Sequence, residues 1–339
     1  MKRLIGLATL TMLAGVACMP RPASAEKPDV PTLGTVERLD PALDQLIDKQ
    51  AFIEKLADGF DWSEGPVWFP EGYLLFSDIP KNTIWKWNPK KGIELFLRPA
   101  GYTGKEPFTG KEPGSNGLAR DAKGNLIACR HGDRQLVKID PKGNVTVLAD
   151  KYDGKRFNSP NDLTIAKDGT IFFTDPPYGL PKLMDDPNKE LDFQGVYRLT
   201  PDGKLSLLTK EMTRPNGVAL SPDEKTLYVA NSDPQLAIWK AFPLKEDGTL
   251  GEGKVLFDAT KWVGSKPGLP DGLKVDEKGN LFATGPGGVL IFTPEGKHLG
   301  TLATGVPTAN CGWGGDGSVL YITADKSLCR IQTFTRAPK

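Results

Sequence analysis

Short apolar runs separated by polar turn residues make up most of the chain beyond residue 60. The runs are about five to eight residues long, and Gly, Pro, Asn and Asp stand between them, as in proteins built of short strands. No segment sustains the 3.6-residue periodicity of an amphipathic helix. The pattern therefore predicts an all-β protein.

The predicted strands recur as copies of one unit. Each unit begins with an oxygen-bearing side chain at the start of an apolar run, and we call these six residues the heads: Glu64, Asn116, Asn161, Asn216, Asp271 and Asn310. Consecutive heads are 39 to 55 residues apart, and four strands can be placed in most units. Four strands in a repeat of about 40–50 residues are typical of β-propeller blades. The sequence predicts a six-bladed β-propeller with four-stranded antiparallel blades.

The last unit reaches the end of the chain after its third strand. An earlier strand near Phe52–Leu56 has no unit of its own and could supply the missing outer strand. This pairing of the N- and C-terminal strands would close the ring and leave no exposed seam. We assign residues 50–339 to the propeller and residues 26–49 to an N-terminal lead segment with weak helical periodicity after Pro41.

The first 25 residues have the pattern of a cleavable signal peptide. Lys2 and Arg3 precede an apolar stretch, Leu4–Ala17, that is too short to span a bilayer, and Ala23-Ser24-Ala25 is a small-residue cleavage site. We expect a periplasmic or secreted protein. Lipid attachment at Cys18 is the less favoured alternative, because the preceding residues fit a lipidation motif poorly.

Charge and hydropathy exclude two classes of partner. Cleavage after residue 25 leaves 40 basic and 42 acidic residues, a formal charge of −2, which gives no basic surface for nucleic acid. No later segment has the length and hydropathy of a membrane span. We expect a monomer that acts on a small molecule.

The heads are expected to meet at one end of the central channel, because each lies at the start of an innermost strand. A single Asn or Asp before a strand also marks a simple turn, but six heads in register favour convergence. Two carboxylates and several amide oxygens, with no His or Cys among them, form a hard-oxygen site. Ca²⁺ suits such a site best, Mg²⁺ and Mn²⁺ come next, and Zn²⁺ is less favoured.

Five short motifs resemble those of one known family. They are Ser63-Glu64-Gly65-Pro66-Val67-Trp68, Asn158-Ser159-Pro160-Asn161-Asp162-Leu163, Thr174-Asp175-Pro176-Pro177-Tyr178-Gly179, Arg214-Pro215-Asn216-Gly217-Val218 and Pro270-Asp271-Gly272-Leu273. From about residue 50 onward, the chain resembles the SMP-30/gluconolactonase/luciferin-regenerating-enzyme group, six-bladed propeller lactonases and esterases. It looks closest to the bacterial gluconolactonases.

The resemblance implies a site residue by residue. It implies one divalent metal ion held by Glu64, Asn161, Asn216 and Asp271, and it aligns Asp162 with a substrate-contacting position. The family's substrate-binding arginine has no clear counterpart, because the Ser159-Pro160 pair displaces Arg156 from its place in the animal proteins.

The implied chemistry is the opening of a sugar lactone by water. The metal would polarise the lactone carbonyl, and Asp271, or less favourably Glu64, would take the proton of the attacking water. Activation of the water by the ion itself is the alternative, since a carboxylate bound to a cation is a weaker base.

Three further residues are candidate substrate contacts. Asn116 is a converging head. His131 either is an ordinary buried histidine or makes a hydrogen bond to substrate or to the rim of the channel. Tyr178 belongs either to a rigid proline turn or to the wall of the pocket. The polar loops at residues 101–112 and 180–192 are where specificity is expected.

Three functions remain open at the level of sequence. A metal-dependent lactonase similar to gluconolactonase is the leading hypothesis. A phosphotriesterase or aryl esterase could use the same metal, since P=O is polarised as readily as C=O. A propeller that binds a ligand without catalysis is the third hypothesis, because fold alone does not determine function.

Overall fold

The computed structural model describes residues 30–339, and β-strands account for nearly all of its regular structure. The predicted signal peptide and Cys18 lie outside the described residues. Three short 3₁₀ turns occur within residues 30–339, at Pro41–Gln45, Leu183–Asp185 and Thr260–Trp262. No helix of the described residues is long and apolar enough to cross a membrane.

Strands are numbered in chain order. Two precede the first complete blade: β1 (Thr35–Arg38) and β2 (Glu54–Asp58). Blade 1 contains β3 (Ser63–Phe69), β4 (Tyr73–Asp78), β5 (Thr83–Asn88) and β6 (Gly92–Leu97). Blade 2 contains β7 (Ser115–Arg120), β8 (Leu126–Arg130), β9 (Gln135–Ile139) and β10 (Val145–Ala149), and a small hairpin of β11 (Lys151–Tyr152) and β12 (Lys155–Arg156) follows it.

The remaining blades repeat this order. Blade 3 contains β13 (Leu163–Ile165), β14 (Ile171–Asp175), β15 (Gly195–Leu199) and β16 (Leu205–Thr209). Blade 4 contains β17 (Pro215–Leu220), β18 (Thr226–Asp233), β19 (Leu236–Pro243) and β20 (Lys254–Asp258). Blade 5 contains β21 (Leu273–Val275), β22 (Leu281–Gly285), β23 (Gly288–Phe292) and β24 (His298–Ala303), and blade 6 contains β25 (Thr308–Gly314), β26 (Val319–Ala324) and β27 (Ser327–Gln332).

Every blade is an antiparallel sheet whose strands follow one another from the axis outward. In blade 6 the outer strand is β2, which pairs antiparallel with β27 through partners such as Glu54 and Arg330. The prediction of a six-bladed propeller closed by the terminal strands is therefore confirmed. The closing strand begins at Glu54 rather than at Phe52, because Ile53 is drawn into the core at 1% exposure.

Part of the lead segment joins the sheets, which the sequence pattern did not reveal. β1 pairs antiparallel with β24 and makes blade 5 a five-stranded sheet. The 3₁₀ turn that follows is capped by the Asp40 carboxylate, which accepts a hydrogen bond from the Ala42 N–H at 2.9 Å. Leu43 and Ile47 are fully buried against blades 5 and 6, so this short segment seals the junction between them.

Four of the six heads are followed by a glycine that the contact with the next blade requires: Gly65, Gly117, Gly217 and Gly272. A Cβ at residue 217 would lie 2.2 Å from the Asp271 backbone oxygen, and one at residue 272 would lie 2.1 Å from Asn310 Oδ1. Only glycine allows the backbones to approach this closely. The repeated Asn-Gly and Asp-Gly pairs are therefore packing positions between blades, which explains their regular recurrence.

Near the heads, buried hydroxyl groups form hydrogen bonds between neighbouring blades, at every second junction around the propeller. Ser77 Oγ donates to the Asn116 carbonyl oxygen at 2.8 Å, and Thr174 Oγ1 donates to the Asn216 carbonyl oxygen at 2.6 Å. Thr284 Oγ1 contacts the Ala309 carbonyl oxygen at 2.8 Å, next to the last head. These bonds fix the backbone of a head by a residue of the preceding blade.

Candidate functional site

The heads lie at irregularities of the innermost strands. In β3, β7, β17 and β25 the pairing register with the second strand shifts at or beside the head, which is the signature of a β-bulge. Asn161 and Asp271 instead stand two residues before the short strands β13 and β21. A bulge re-aims a side chain that would otherwise follow the pleat of the sheet. Three heads at bulges, Glu64, Asn116 and Asn216, and the two that precede their strands can therefore face one space.

One cavity of about 730 Å³ contains these five side chains in its lining: Glu64, Asn116, Asn161, Asn216 and Asp271. Glu64 and Asn161 are each 1% exposed, and Asn116 and Asn216 are also buried, whereas Asp271 is partly exposed. The prediction that the heads converge holds for these five. The sixth, Asn310, is not part of the lining and lies against Glu64 behind it.

Four oxygens of this ring have no hydrogen-bond partner among residues 30–339. They are Oδ1 of Asn116, Asn161, Asn216 and Asp271. A buried polar atom without a partner costs about 1–3 kcal/mol. Four such atoms around one cavity are therefore unfavourable unless a ligand satisfies them.

The carboxyl groups at this end of the channel oppose one another's ionisation. Burial, with a further contribution from the charge of Asp162, raises the pKa of Glu64 to about 8. Burial, followed by the charges of Glu64, Asp162 and Glu112, raises the pKa of Asp271 well above its ordinary value. Burial also raises the pKa of Asp162. The positive charge near the site is therefore too small to keep all of its carboxyl groups ionised.

The donor set fits a hard divalent cation. Within the described part of the chain, no group of three or more His, Cys, Asp or Glu side chains is arranged to hold a metal. The ring instead offers two carboxyl groups and three amide oxygens, the ligand types that Ca²⁺ accepts and that Zn²⁺ disfavours. The predicted ligands Glu64, Asn161, Asn216 and Asp271 all belong to it.

Asp162 and Asn310 lie behind the ring. Asp162 is 2% exposed and does not line the cavity, and its Oδ1 accepts the Leu163 N–H at 2.9 Å. Asn310 Nδ2 donates to Glu64 Oε2 at 3.0 Å and lies 3.5 Å from Asp162 Oδ2. The substrate contact predicted for Asp162 stays a prediction, since Asp162 lies behind the lining of the cavity.

His131 also lies behind the ring rather than on the cavity wall. It is fully buried, and its Nε2 is 3.4 Å from the Nδ2 atoms of both Asn116 and Asn161. Its Nδ1 lies 3.0 Å from Glu112 Oε2, at an angle outside that of a hydrogen bond. His131 does not line the cavity, and the substrate contact predicted for it from the sequence stays a prediction.

Glu112 was missed by the sequence analysis. It comes from the polar loop before blade 2, its side chain is 32% exposed, and it lines the cavity beside the heads. The loop is held by Thr103, whose N–H and hydroxyl both donate to Asp133, at 3.0 and 2.8 Å. Nothing in the sequence distinguishes Glu112 from the exposed Glu106 of the same loop, so no signal could have identified it.

The turn that carries Asn161 is anchored by the Asp175-Pro176-Pro177-Tyr178 motif. Asp175 accepts the backbone N–H groups of Asn158 and Ser159 at 2.8 and 2.7 Å. Ser159 Oγ donates to the Pro176 oxygen at 2.5 Å and accepts the Gly179 N–H at 2.9 Å. Burial raises the pKa of Asp175 to about 7. The motif is thus a buried support for one predicted ligand.

The outer wall of the cavity is largely apolar. Trp62, Ile79 and Tyr178 line it, and the Tyr178 hydroxyl donates to the Ser232 carbonyl oxygen at 3.4 Å. Residues 263–269, including Lys266, form the remaining rim, while residues 180–192 do not reach it. Arg156 is also remote from the lining, because its guanidinium donates to the Asp133 carbonyl oxygen at 3.0 Å. The rim loop at 263–269 was not anticipated from the sequence.

Comparison with known proteins gives a consistent result. The family model "SMP-30/Gluconolactonase/LRE-like region" matches residues 62–326. A gluconolactonase of Zymomonas mobilis is 43% identical over 314 residues, which cover 90% of this chain and 87% of that protein. The solved structure of a gluconolactonase from Xanthomonas campestris has a TM-score of 0.77 at 31% identity and covers 91% of this chain and 99% of its own.

A more distant structure shares the fold alone. The calcium-binding protein regucalcin from Agrobacterium tumefaciens has a TM-score of 0.64 at 17% identity, covering 84% of this chain and 95% of its own.

Proposed function

The chain belongs to the SMP-30/gluconolactonase/LRE-like family, and from this membership we propose that it hydrolyses a sugar lactone such as glucono-1,5-lactone with one bound divalent cation, Ca²⁺. The observation that carries the proposal is the set of four buried oxygens without partners that face a single cavity. Gluconolactonases that are similar over most of the chain support the reaction class.

Glu64, Asn161, Asn216 and Asp271 would hold the cation, with Asn116 beside them. A cation bound there would polarise the lactone carbonyl as a Lewis acid. Glu64 and Asp271 would supply two negative charges, which match a divalent ion and relieve the repulsion between the two buried carboxyl groups.

Asp271 is better suited than Glu64 to accept the proton of the attacking water. Glu64 Oε2 already accepts the Gly65 N–H at 2.7 Å and the Asn310 amide at 3.0 Å, which fixes and occupies that atom. Asp271 Oδ1 has no partner among the described residues and faces the cavity. We therefore assign the proton transfer to Asp271 Oδ1 and a binding role to Glu64.

The wall residues would orient the substrate and exclude bulk water. Tyr178, Asn116 and Glu112 line the cavity and would contact the oxygens of a bound lactone. Trp62 and Ile79 provide apolar surface. The same apolar wall favours hydrolysis of aryl esters as a second candidate activity. Export to the periplasm or beyond is proposed from the N-terminal sequence pattern.

The test is lactone hydrolysis followed by pH-stat, against the spontaneous rate without protein. We expect EDTA to abolish the enzymatic rate and Ca²⁺ to restore it more fully than Mg²⁺, Mn²⁺ or Zn²⁺. Turnover that resists EDTA would contradict the role of the cation. Absence of turnover on lactones and aryl esters, with Ca²⁺ bound, would favour a binding protein without catalysis.

A further inference from the structure

His131 is enclosed by polar groups that connect it to the ring. Its Nε2 lies 3.4 Å from the amide nitrogens of Asn116 and Asn161, and on the opposite edge of the imidazole Nδ1 lies 3.0 Å from Glu112 Oε2. His131 itself is fully buried and does not line the cavity. Its contacts therefore reach the cavity only through other side chains.

An asparagine can turn either its oxygen or its NH₂ group toward a ligand, and only the oxygen can bind a cation. Asn116 and Asn161 both direct Nδ2 to the histidine, and both leave Oδ1 without a partner at the cavity. If either amide were turned over, its NH₂ group would face the cavity. His131 Nε2, the single acceptor behind both amides, therefore determines which atoms of Asn116 and Asn161 face the cavity.

The histidine can be that acceptor only in one form. Nε2 must carry a lone pair, so the ring proton must sit on Nδ1. The carboxylate of Glu112 next to Nδ1 favours this tautomer. A second group that fixes the tautomer of a histidine is common around metal sites, although there the histidine itself is usually the ligand.

We propose that His131 is a positioning residue that accepts hydrogen bonds from the amides of Asn116 and Asn161 and holds both amide oxygens toward the cation, with the nearby carboxyl group of Glu112 favouring the tautomer that this requires. This role rests on the proposed function, because it presupposes a cation in the cavity. Asn216 can be compared with these two heads. Its Oδ1 also has no partner, but its side chain makes no hydrogen bond to His131 within residues 30–339.

The experiment measures cation affinity rather than turnover. His131→Gln keeps an acceptor oxygen near the position of Nε2, whereas His131→Leu keeps similar volume without an acceptor. Ca²⁺ binding to metal-free protein is followed by calorimetry, and Tb³⁺ luminescence, excited through Trp62 at the cavity wall, gives an independent reading. The lifetime of Tb³⁺ in H₂O and D₂O reports how many waters replace lost protein ligands.

We expect His131→Leu to weaken Ca²⁺ binding about 10–100-fold, as loss of a supporting group around a metal does, and to increase the number of waters on Tb³⁺. His131→Gln should stay within a few-fold of the wild-type affinity. Glu112→Ala should weaken binding less than His131→Leu. If the leucine variant does not fold, His131→Met serves in its place.

Three outcomes separate the explanations. Wild-type affinity in a folded His131→Leu protein would overturn the positioning role. Equal loss in the Gln and Leu variants would assign the effect to packing and would also overturn it. Absence of Ca²⁺ and Tb³⁺ binding by the wild-type protein would instead overturn the cation site of the proposed function, and the role of His131 with it.

Discussion

Blades 3 and 6 begin with an asparagine at equivalent places, and the two side chains are used differently. Asn161 keeps its Oδ1 free at the cavity. Asn310 uses both ends of its amide inside the protein, because its Oδ1 accepts the Cys311 N–H at 2.9 Å and its Nδ2 donates to Glu64 at 3.0 Å. The repeat thus sets where a head stands, and the neighbouring blades decide whether it is available to a ligand.

The same contrast divides the six heads into two groups. Asn116, Asn161, Asn216 and Asp271 carry free oxygens, whereas Glu64 is partly and Asn310 wholly engaged by protein groups. Free buried oxygens cost stability in the absence of a ligand, and engaged ones contribute to it. Substitutions in the two groups should therefore have opposite signatures.

The largest effect is expected for Asp271→Asn, which keeps size but removes charge and the proton acceptor. Loss of a group that merely supports a metal ligand costs about 10–100-fold, so lactone hydrolysis should fall by more than about 100-fold here. The melting temperature without metal should not fall, because burial and Glu64 already raise the pKa of Asp271. Kinetics and thermal melts check both, with the exposed Asp185→Asn as a matched control. Near-normal turnover would remove Asp271 from the reaction.

A paired measurement on Asn161→Ala and Asn310→Ala tests the comparison directly. Asn161→Ala should reduce Ca²⁺ affinity by about 10–100-fold or more, with little loss of metal-free stability, because removing the buried Oδ1 that has no partner offsets the loss of the 3.4 Å contact between Nδ2 and His131. Asn310→Ala should lower the free energy of unfolding by about 1–3 kcal/mol, because the Cys311 N–H loses its acceptor and Glu64 loses a donor. Calorimetry and denaturant unfolding of metal-free protein separate the two effects. The reverse ranking in both measurements would invalidate the division of the heads.

A smaller effect is expected for Asp175→Asn, which removes support from the Asn161 turn only. One of the two N–H groups of Asn158 and Ser159 would lose its acceptor, at about 1–3 kcal/mol. Because burial raises the pKa of Asp175 to about 7, the folded wild-type protein binds the extra proton, and its stability falls as the pH rises from about 4 to about 7. The asparagine lacks this contribution.

The stability deficit of Asp175→Asn should therefore shrink across that pH window. Urea unfolding of both proteins between pH 4 and pH 7 without metal measures the difference, in which the other carboxyl groups cancel. A deficit that stays constant or grows with pH would show that Asp175 is ionised in the folded protein throughout the window.

The sequence predicted the fold and the ring because both depend on local repetition. Strand alternation and an oxygen-bearing head recur in every unit, so the six-bladed count could be inferred from spacing. The same spacing predicted that all six heads converge, which holds for the five that line the cavity. The strand at Thr35–Arg38 could not, since its pairing with β24 is a contact with a distant part of the chain. The burial of His131 and Asp162 and the approach of Glu112 depend on side chains from different blades, which no local pattern records.

The hydrogen bond from Asn310 to Glu64 joins residues 246 positions apart, and the pairing of β2 with β27 spans a similar distance. Both contacts join the N-terminal part of the chain to blade 6 and close the propeller. If the chain folds from its N-terminus, five blades can form before this contact exists, but the first head has no neighbour on one side until the last segment arrives. The proposed cation binding and lactone hydrolysis should thus appear late and together, in the last step of folding.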